Sequence, residues 1–288
     1  MFLEQCGESC RYFQASSCYD GIDDEVLAEL ANPVARDEDG KPDPEGKKPS
    51  RCLEFIDISY CKQVTDAGLM AFEGKTYPLT HLCLNGLTEV TGNGLYHPIY
   101  AARDTLEVYQ GALMDQEGLA NSHFGKALGL CFKLNTLDLG GCRHIGDDFF
   151  NFLCSGEKME DGLIVKPGLA NLVTIKLNFL VKMFDGSVTR LAQMATSLEH
   201  LELTGCEQLT EYGLEALFKN FKNIMFFDIN HIPVVNAAFF EVLKNTRPDV
   251  MVRRYQFNDI DLKDNMLRVP LRIVSKDKKK KGKKKKKK

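Results

Sequence analysis

Cys52–Phe72, CLEFIDISYCKQVTDAGLMAF, decides the fold. Leu53, Ile56 and Ile58 alternate as the buried positions of a short strand do, and Cys61 and Val64 follow at a turn. Thr65 and Asp66 suit a helix start, and Leu69 and Phe72 then fall on one inner helical face. The same unit recurs at 134–153, LNTLDLGGCRHIGDDFFNFL, and at 198–217, LEHLELTGCEQLTEYGLEAL.

Taking the strand leucine as a marker gives Leu53, Leu79, Leu134, Leu172, Leu198, Ile224 and Val250. The steps 53 to 79, 172 to 198, 198 to 224 and 224 to 250 are each 26 residues, within the range of stacked strand–helix repeats. The step from 134 to 172 is 38, which is 26 plus an insertion of 12. A degenerate copy lies between, marked by Leu106, Val108, Leu113 and Leu119. Another lies upstream, in Phe13, Cys18, Ile22, Leu27 and Leu30. The domain reading is a degenerate repeat or cap at 1–34, a charged loop at 35–51 and repeats over 52–258 with an insertion at 154–168. A C-terminal cap at 259–274 and a disordered lysine tail at 275–288 complete it. Both insertions fall between a helix and the next strand, which puts them on one rim of a solenoid.

One such unit cannot bury its apolar face alone. Stacked units share a continuous core, with a parallel sheet inside the curve and helices outside. Cys18, Cys61, Cys142 and Cys206 hold the turn position, where a thiol is a small, buried, weak donor toward carbonyl groups. Leu87, Leu180 and Ile232 replace it in other copies.

The pattern L-x-x-L-x-L-x-x-C, followed by I/V-T-D-x-G-L, resembles the cysteine-containing class of leucine-rich repeat. That class occurs in F-box/LRR proteins and in related repeat proteins that lack an F-box. The resemblance spans roughly residues 10–258. It implies an α/β fold, a right-handed leucine-rich-repeat horseshoe, and a substrate-recognition or adaptor role beside ubiquitin-ligase components. No F-box is recognisable in this sequence. The start, FLEQCGESC, resembles the tail of a preceding repeat helix, so Met1 either opens an atypical cap or the sequence is a fragment of something longer.

No apolar run approaches the length of a membrane span, and MFLEQCGESCRYF lacks the basic and apolar regions of a secretory signal. The repeat accounts for four of the ten cysteines without oxidation, and no N-x-S/T sequon occurs. A reduced, cytoplasmic setting fits, with nuclear or cytoskeletal placement as further options. The net charge of −3 hides an asymmetry: residues 276–288 hold 11 lysines and one aspartate, or +10, so the rest of the chain carries −13.

Residues between the buried strand positions face the concave surface. The central exposed column reads Gln14, Asp57, Cys83, Glu107, Asp138, Lys176, Glu202, Asp228 and Arg254, five of them acidic. Phe55, His81, His200 and Phe226 flank it on one side, and Ser59, Asn85, Tyr109, Asn178, Thr204 and Asn230 on the other. Stacked carboxylates repel one another and are relieved by a cation, so the expected partner is a protein with a basic surface. Asp57, Glu107, Asp138, Glu202 and Asp228, with Phe55, Tyr109, His200 and Phe226, are the candidate contacts.

In the tail, Lys278, Lys279, Lys280, Lys281, Lys283 and Lys284 are candidate contacts for polyanions, either acidic protein tails or nucleic acid. No arginine or aromatic is interleaved, so such contact would be non-specific and weakened by salt. Catalytic signatures are missing. There is no H-E-x-x-H or G-x-S-x-G, and GLANSHFGKA (118–127) has the wrong spacing for a phosphate loop. Cys6, Cys10 and Cys18 are too loosely spaced for a metal site. Asp66, Asp147 and Asp185 suit helix starts. The sequence thus points to a non-catalytic interaction protein, monomeric on its own and without cofactor. The alternative is a structural subunit of a cytoskeletal or ciliary assembly, held partly by the tail.

Overall fold

The computed structural model describes residues 10–32, 52–155, 157–158, 164–165, 168–257 and 268–273. The loop expected at 35–51 and the lysines from Lys278 onward lie outside these residues. Strands β1 (Tyr12–Gln14), β2 (Phe55–Asp57), β3 (His81–Cys83), β4 (Val108–Gln110) and β5 (Thr136–Asp138) alternate with helices α1 (Asp24–Ala31), α2 (Asp66–Met70), α3 (Gly92–Ala101), α4 (Ser122–Gly129) and α5 (Asp147–Leu153). A short antiparallel pair, β6 (Glu157–Lys158) and β7 (Ile164–Val165), stands in the insertion. The series resumes with β8 (Thr174–Lys176), α6 (Asp185–Met194), β9 (His200–Glu202), α7 (Glu211–Asn220), β10 (Phe226–Asp228) and α8 (Ala237–Thr246). It ends with β11 (Met251–Phe257) and β12 (Arg268–Ile273).

The main sheet runs β1-β2-β3-β4-β5-β8-β9-β10-β11-β12, parallel throughout except for the antiparallel last pair. Strands stack at about 4.8 Å and helices at about 8–10 Å, so the helical layer is the outer, longer arc and the sheet the inner one. The marker residues Leu53, Leu79, Leu106, Leu134, Leu172, Leu198, Ile224 and Val250 are all buried, as are the middle strand residues from Phe13 to Val252. The resulting core runs the length of the stack. The helices have at most 10 residues and would not persist alone, so each depends on its neighbours.

Three polar ladders tie repeat to repeat. First, the residue before the cysteine position is left-handed in every turn: Ser17, Tyr60, Gly86, Leu113, Gly141, Phe179, Gly205 and His231. There the N–H reaches the next turn's carbonyl, as in Tyr60 to Asn85 at 2.7 Å and Leu113 to Gly140 at 2.7 Å. Second, the thiols of Cys61, Cys142 and Cys206 donate backward to the carbonyls of Ala15, Gly111 and Leu177, at 3.0–3.1 Å. Cys18 departs from the expected burial. It is exposed, because no described residue of an earlier repeat lies over it.

Third, Asp24 accepts bonds from Thr65 N–H (2.8 Å) and Thr65 Oγ1 (2.6 Å), and Asp66 and Asp185 hold Thr91 and Thr210 in the same way. Asp147 does so with Phe184 N–H and Ser187 Oγ. Each aspartate opens a helix, and the threonines cap the next helix by accepting from its second N–H. The glycine of T-D-x-G leaves room for the previous aspartate: a Cβ on Gly68 would lie 2.5 Å from Asp24 Oδ1.

Candidate functional site

Strand register places two rows on the concave face. The first is Tyr12, Phe55, His81, Val108, Thr136, Thr174, His200, Phe226 and Met251. The second is Gln14, Asp57, Cys83, Gln110, Asp138, Lys176, Glu202, Asp228 and Arg253. Phe55, His200 and Phe226 stand half-buried in the first row. Rings gather at its two ends. Phe55 lies 6.4 Å from Tyr12 and 5.8 Å from His81, and His200 lies 5.9 Å from Phe226, with the Arg253 guanidinium 5.0 Å above the Phe226 ring. β-Branched residues fill the middle.

Several sequence expectations need correction. Tyr109 is not on this surface. It occupies the inward strand position between Leu82 and Leu137 and is fully buried. Glu107 lies outside the acidic column, whose residue in β4 is Gln110. Glu107 instead precedes the strand, where its carbonyl accepts the N–H groups of Asn135 and Thr136. Both errors arise because an aromatic replaces the strand leucine in that repeat. At the C-terminal end, Asp228 pairs in register with Arg253, not Arg254.

The column is therefore less acidic than the sequence reading held, and part of its charge is spent internally. Asp228 is only 5% exposed. Its carboxylate accepts bonds from Thr204 Oγ1 (2.7 Å) and Asn230 Nδ2 and faces Arg253 at 3.7 Å. Glu202 accepts from Asn178 Nδ2 at 2.7 Å. Asp138 accepts from Gly140 N–H at 3.0 Å. Burial raises its pKa above the ordinary carboxylate value, while the Gly140 bond and Lys176 oppose the rise. Asp57 accepts from Ser59 N–H and remains half-buried at the N-terminal end.

The second flanking set is mostly structural. Asn85 and Asn178 accept the N–H groups of Ala112 and Thr204, both at 2.9 Å, and Ser59 and Asn230 are buried. The side chains of the two rows that keep solvent access and are not buried in the ladder include Tyr12, Phe55, His81, Asp57, Asp138, Lys176, Glu202, His200 and Phe226. Glu54 and Arg11 add an exposed ion pair (3.4 Å) at the N-terminal border. Tyr12 had been missed as an anchor, although it is 69% exposed. Its alignment with Phe55 could have revealed it. Burial pushes the thiol of Cys83, in the same column, up to about 11.

These repeats match known sequences. The family described as Leucine Rich repeat matches residues 50–72, 130–148 and 195–218, which are the stretches around the buried turn cysteines Cys61, Cys142 and Cys206. The fold is a leucine-rich-repeat solenoid, and these cysteines hold the turn of the three matched repeats. Among solved structures, the one titled "Crystal structure of Rad7 and Elc1 complex in yeast" is similar over 83% of this chain and 75% of that chain, with 16% identity and a TM-score of 0.35. No helix among the described residues is long and apolar enough to cross a membrane.

Proposed function

We propose that the protein is a non-catalytic binding module whose concave face recognises a protein partner, in the manner of a substrate-recognition or adaptor subunit. The observation that carries this reading is the pairing of ring clusters toward both ends of the sheet with half-buried carboxylates in the neighbouring row, Asp57 and Glu202 beside the rings and Asp138 between them. Aromatic anchors in a partly dry, charged surface are what protein interfaces concentrate their energy in. Asp57, Asp138 and Glu202 favour a partner bearing lysine or arginine, and ubiquitin-ligase components are the partner class that the repeat resemblance suggests.

Proximity labelling and affinity capture with the full chain test this, comparing wild type with Phe55→Ala/His200→Ala and with Asp57→Lys/Asp138→Lys. A Lys219→Glu variant on the outer helix α7 serves as the control. The expected result is one set of proteins lost with both concave variants and kept by the control. Retention of that set by both concave variants would remove the concave face from the reading.

The charge of +10 at 276–288 favours a second reading, a structural subunit held to an assembly through its tail. Ending the chain at Ser275 would then abolish co-sedimentation with that assembly, whereas the adaptor reading leaves capture intact.

A further inference from the structure

The rim formed by the turns after the strands carries apolar side chains that packing covers on one side only. Leu113 and Phe179 both hold left-handed backbone, at φ 59° and 61°. Ser17, Tyr60 and His231 share it in equivalent turns, and Tyr60, Leu113 and Phe179 each lie over the glycine of the following turn, Gly86, Gly141 and Gly205. Both side chains are also 51–54% exposed. The left-handed turn itself belongs to the repeat's hydrogen-bond ladder, so what sets these two residues apart is the apolar face that each leaves to solvent.

The surroundings form one patch. A Cβ on Gly141 would lie 2.6 Å from Leu113 Cδ2, and the Gly141 N–H bonds to Asn178 O beside Phe179, so the three turns are consecutive. Val181 and Phe184, 37% and 48% exposed, extend the apolar surface along the same turn as Phe179. The turn between those of Leu113 and Val181 carries His144 and exposed Arg143, and exposed Lys182, next to Val181, has its Nζ 3.3 Å from His144. Of the carboxylates in these turns, Asp115 is half exposed and lies 3.7 Å from His144, and Asp147 holds Phe184 N–H and Ser187. The result is an apolar patch that presents two exposed cations, on an otherwise acidic chain.

We propose that this rim is a second docking surface, distinct from the concave face, and that it takes an acidic protein segment with apolar side chains. Leu113, Phe179, Val181 and Phe184 are its anchors, and Arg143 and Lys182 meet its carboxylates. Charge complementarity selects that occupant over a basic one.

The test uses the full chain with isotope-labelled methyl groups and two synthetic peptides, one with leucines spaced by glutamates and one with lysines in place of the glutamates. The acidic peptide is expected to shift the methyl signals of Leu113 and Val181, and the lysine peptide to leave them unmoved. Leu113→Gly/Phe179→Gly should weaken binding by about tenfold or more. Because glycine suits the left-handed turn, this variant should keep or raise the thermal midpoint. Should it fail to fold, Val181→Ser/Phe184→Ser, at ordinary backbone angles, carries the same expectation. Arg143→Glu/Lys182→Glu should weaken binding too, and Phe55→Ala should not. Unmoved methyl signals, equal binding of the lysine peptide, or undiminished affinity in the anchor variants would overturn the proposal.

Discussion

A single aspartate in this fold serves two repeats at once. Asp66 starts α2 with its carboxylate at the positive helix end, and it also takes both the N–H and the hydroxyl of Thr91, which caps α3. Replacing it by alanine therefore removes a latch between repeats as well as a favourable charge. Asp66→Ala should cost about 1–3 kcal/mol by urea unfolding, whereas Asp148→Ala, exposed at the start of α5, should stay within about 0.5 kcal/mol. The turn cysteines make a second prediction at this scale. Burial raises the thiols of Cys142 and Cys206 to about 12, against about 8.5 for an unfolded thiol. Between those values the unfolded chain gives up these protons and the folded one keeps them, so the equilibrium shifts toward unfolding as pH rises. Their stabilising contribution is complete below the unfolded value and is lost on the way to the folded one, at about 1.4 kcal/mol per thiol per pH unit. The urea midpoint should fall steeply between about pH 9 and 11. In Cys142→Ala/Cys206→Ala the midpoint should start lower and fall less over the same interval.

At the level of the element, β4 shows how a repeat can be rebuilt without leaving the stack. Five other repeats place aliphatic residues at both inward positions, as in Leu82 and Leu84 or Leu137 and Leu139, while β1 and β10 carry Phe13 and Phe227 at the first. Here the first is Tyr109 and the second is Gly111, and a Cβ on Gly111 would lie 2.5 Å from Tyr109 Oη. The ring fills the space that the missing side chain vacates, and Met114 completes the filling. Its hydroxyl has no hydrogen-bond partner among the described residues, so the exchange has a polar cost. Tyr109→Leu alone should leave a cavity and cost about 2–5 kcal/mol, and Gly111→Leu alone should overpack the site by about 1–3 kcal/mol or more. The double variant restores the common pattern and should lie well above the sum of the two losses, a coupling that a double-mutant cycle in urea reads directly. The same pair explains where the sequence misled. Leucine spacing made the other strands legible because identical residues recur at fixed intervals. In β4 the marker Leu106 is kept, but the two following positions changed together, and reading a tyrosine as a surface residue moved Tyr109 and Glu107 onto a face that Val108 and Gln110 occupy. Charge was harder to read than register. That Asp228 is consumed by Thr204, Asn230 and Arg253 depends on side-chain directions that spacing does not encode.

Across the whole molecule, stability is a sum of repeat terms and of interfaces between neighbours, so the weakest interface decides where opening begins. Helices α1 to α7 pack pairwise in sequence, whereas α7 and α8 are not in comparable contact. Between them lies a groove of about 480 Å3 whose lining includes Phe218, Ala238, Phe239, Val242 and Leu243. The two aromatic rings Phe218 and Phe239, 5.7 Å apart, bridge part of the gap. Arg247 bridges more of it by donating to the carbonyls of Phe218 and Phe221 at the end of α7, at 3.3 and 2.8 Å. The sheet continues unbroken through β10 and β11, so the break is confined to the outer layer. Hydrogen exchange should therefore find the amides of α8 opening before those of α3 to α7. Arg247→Ala should speed α8 further, while α3 and α4 at the far end keep their rates, because nearest-neighbour coupling decays along the stack. Uniform exchange across all the helices, or an Arg247→Ala effect that reaches α3, would mean that the solenoid opens as one cooperative unit and that the gap between α7 and α8 costs it nothing.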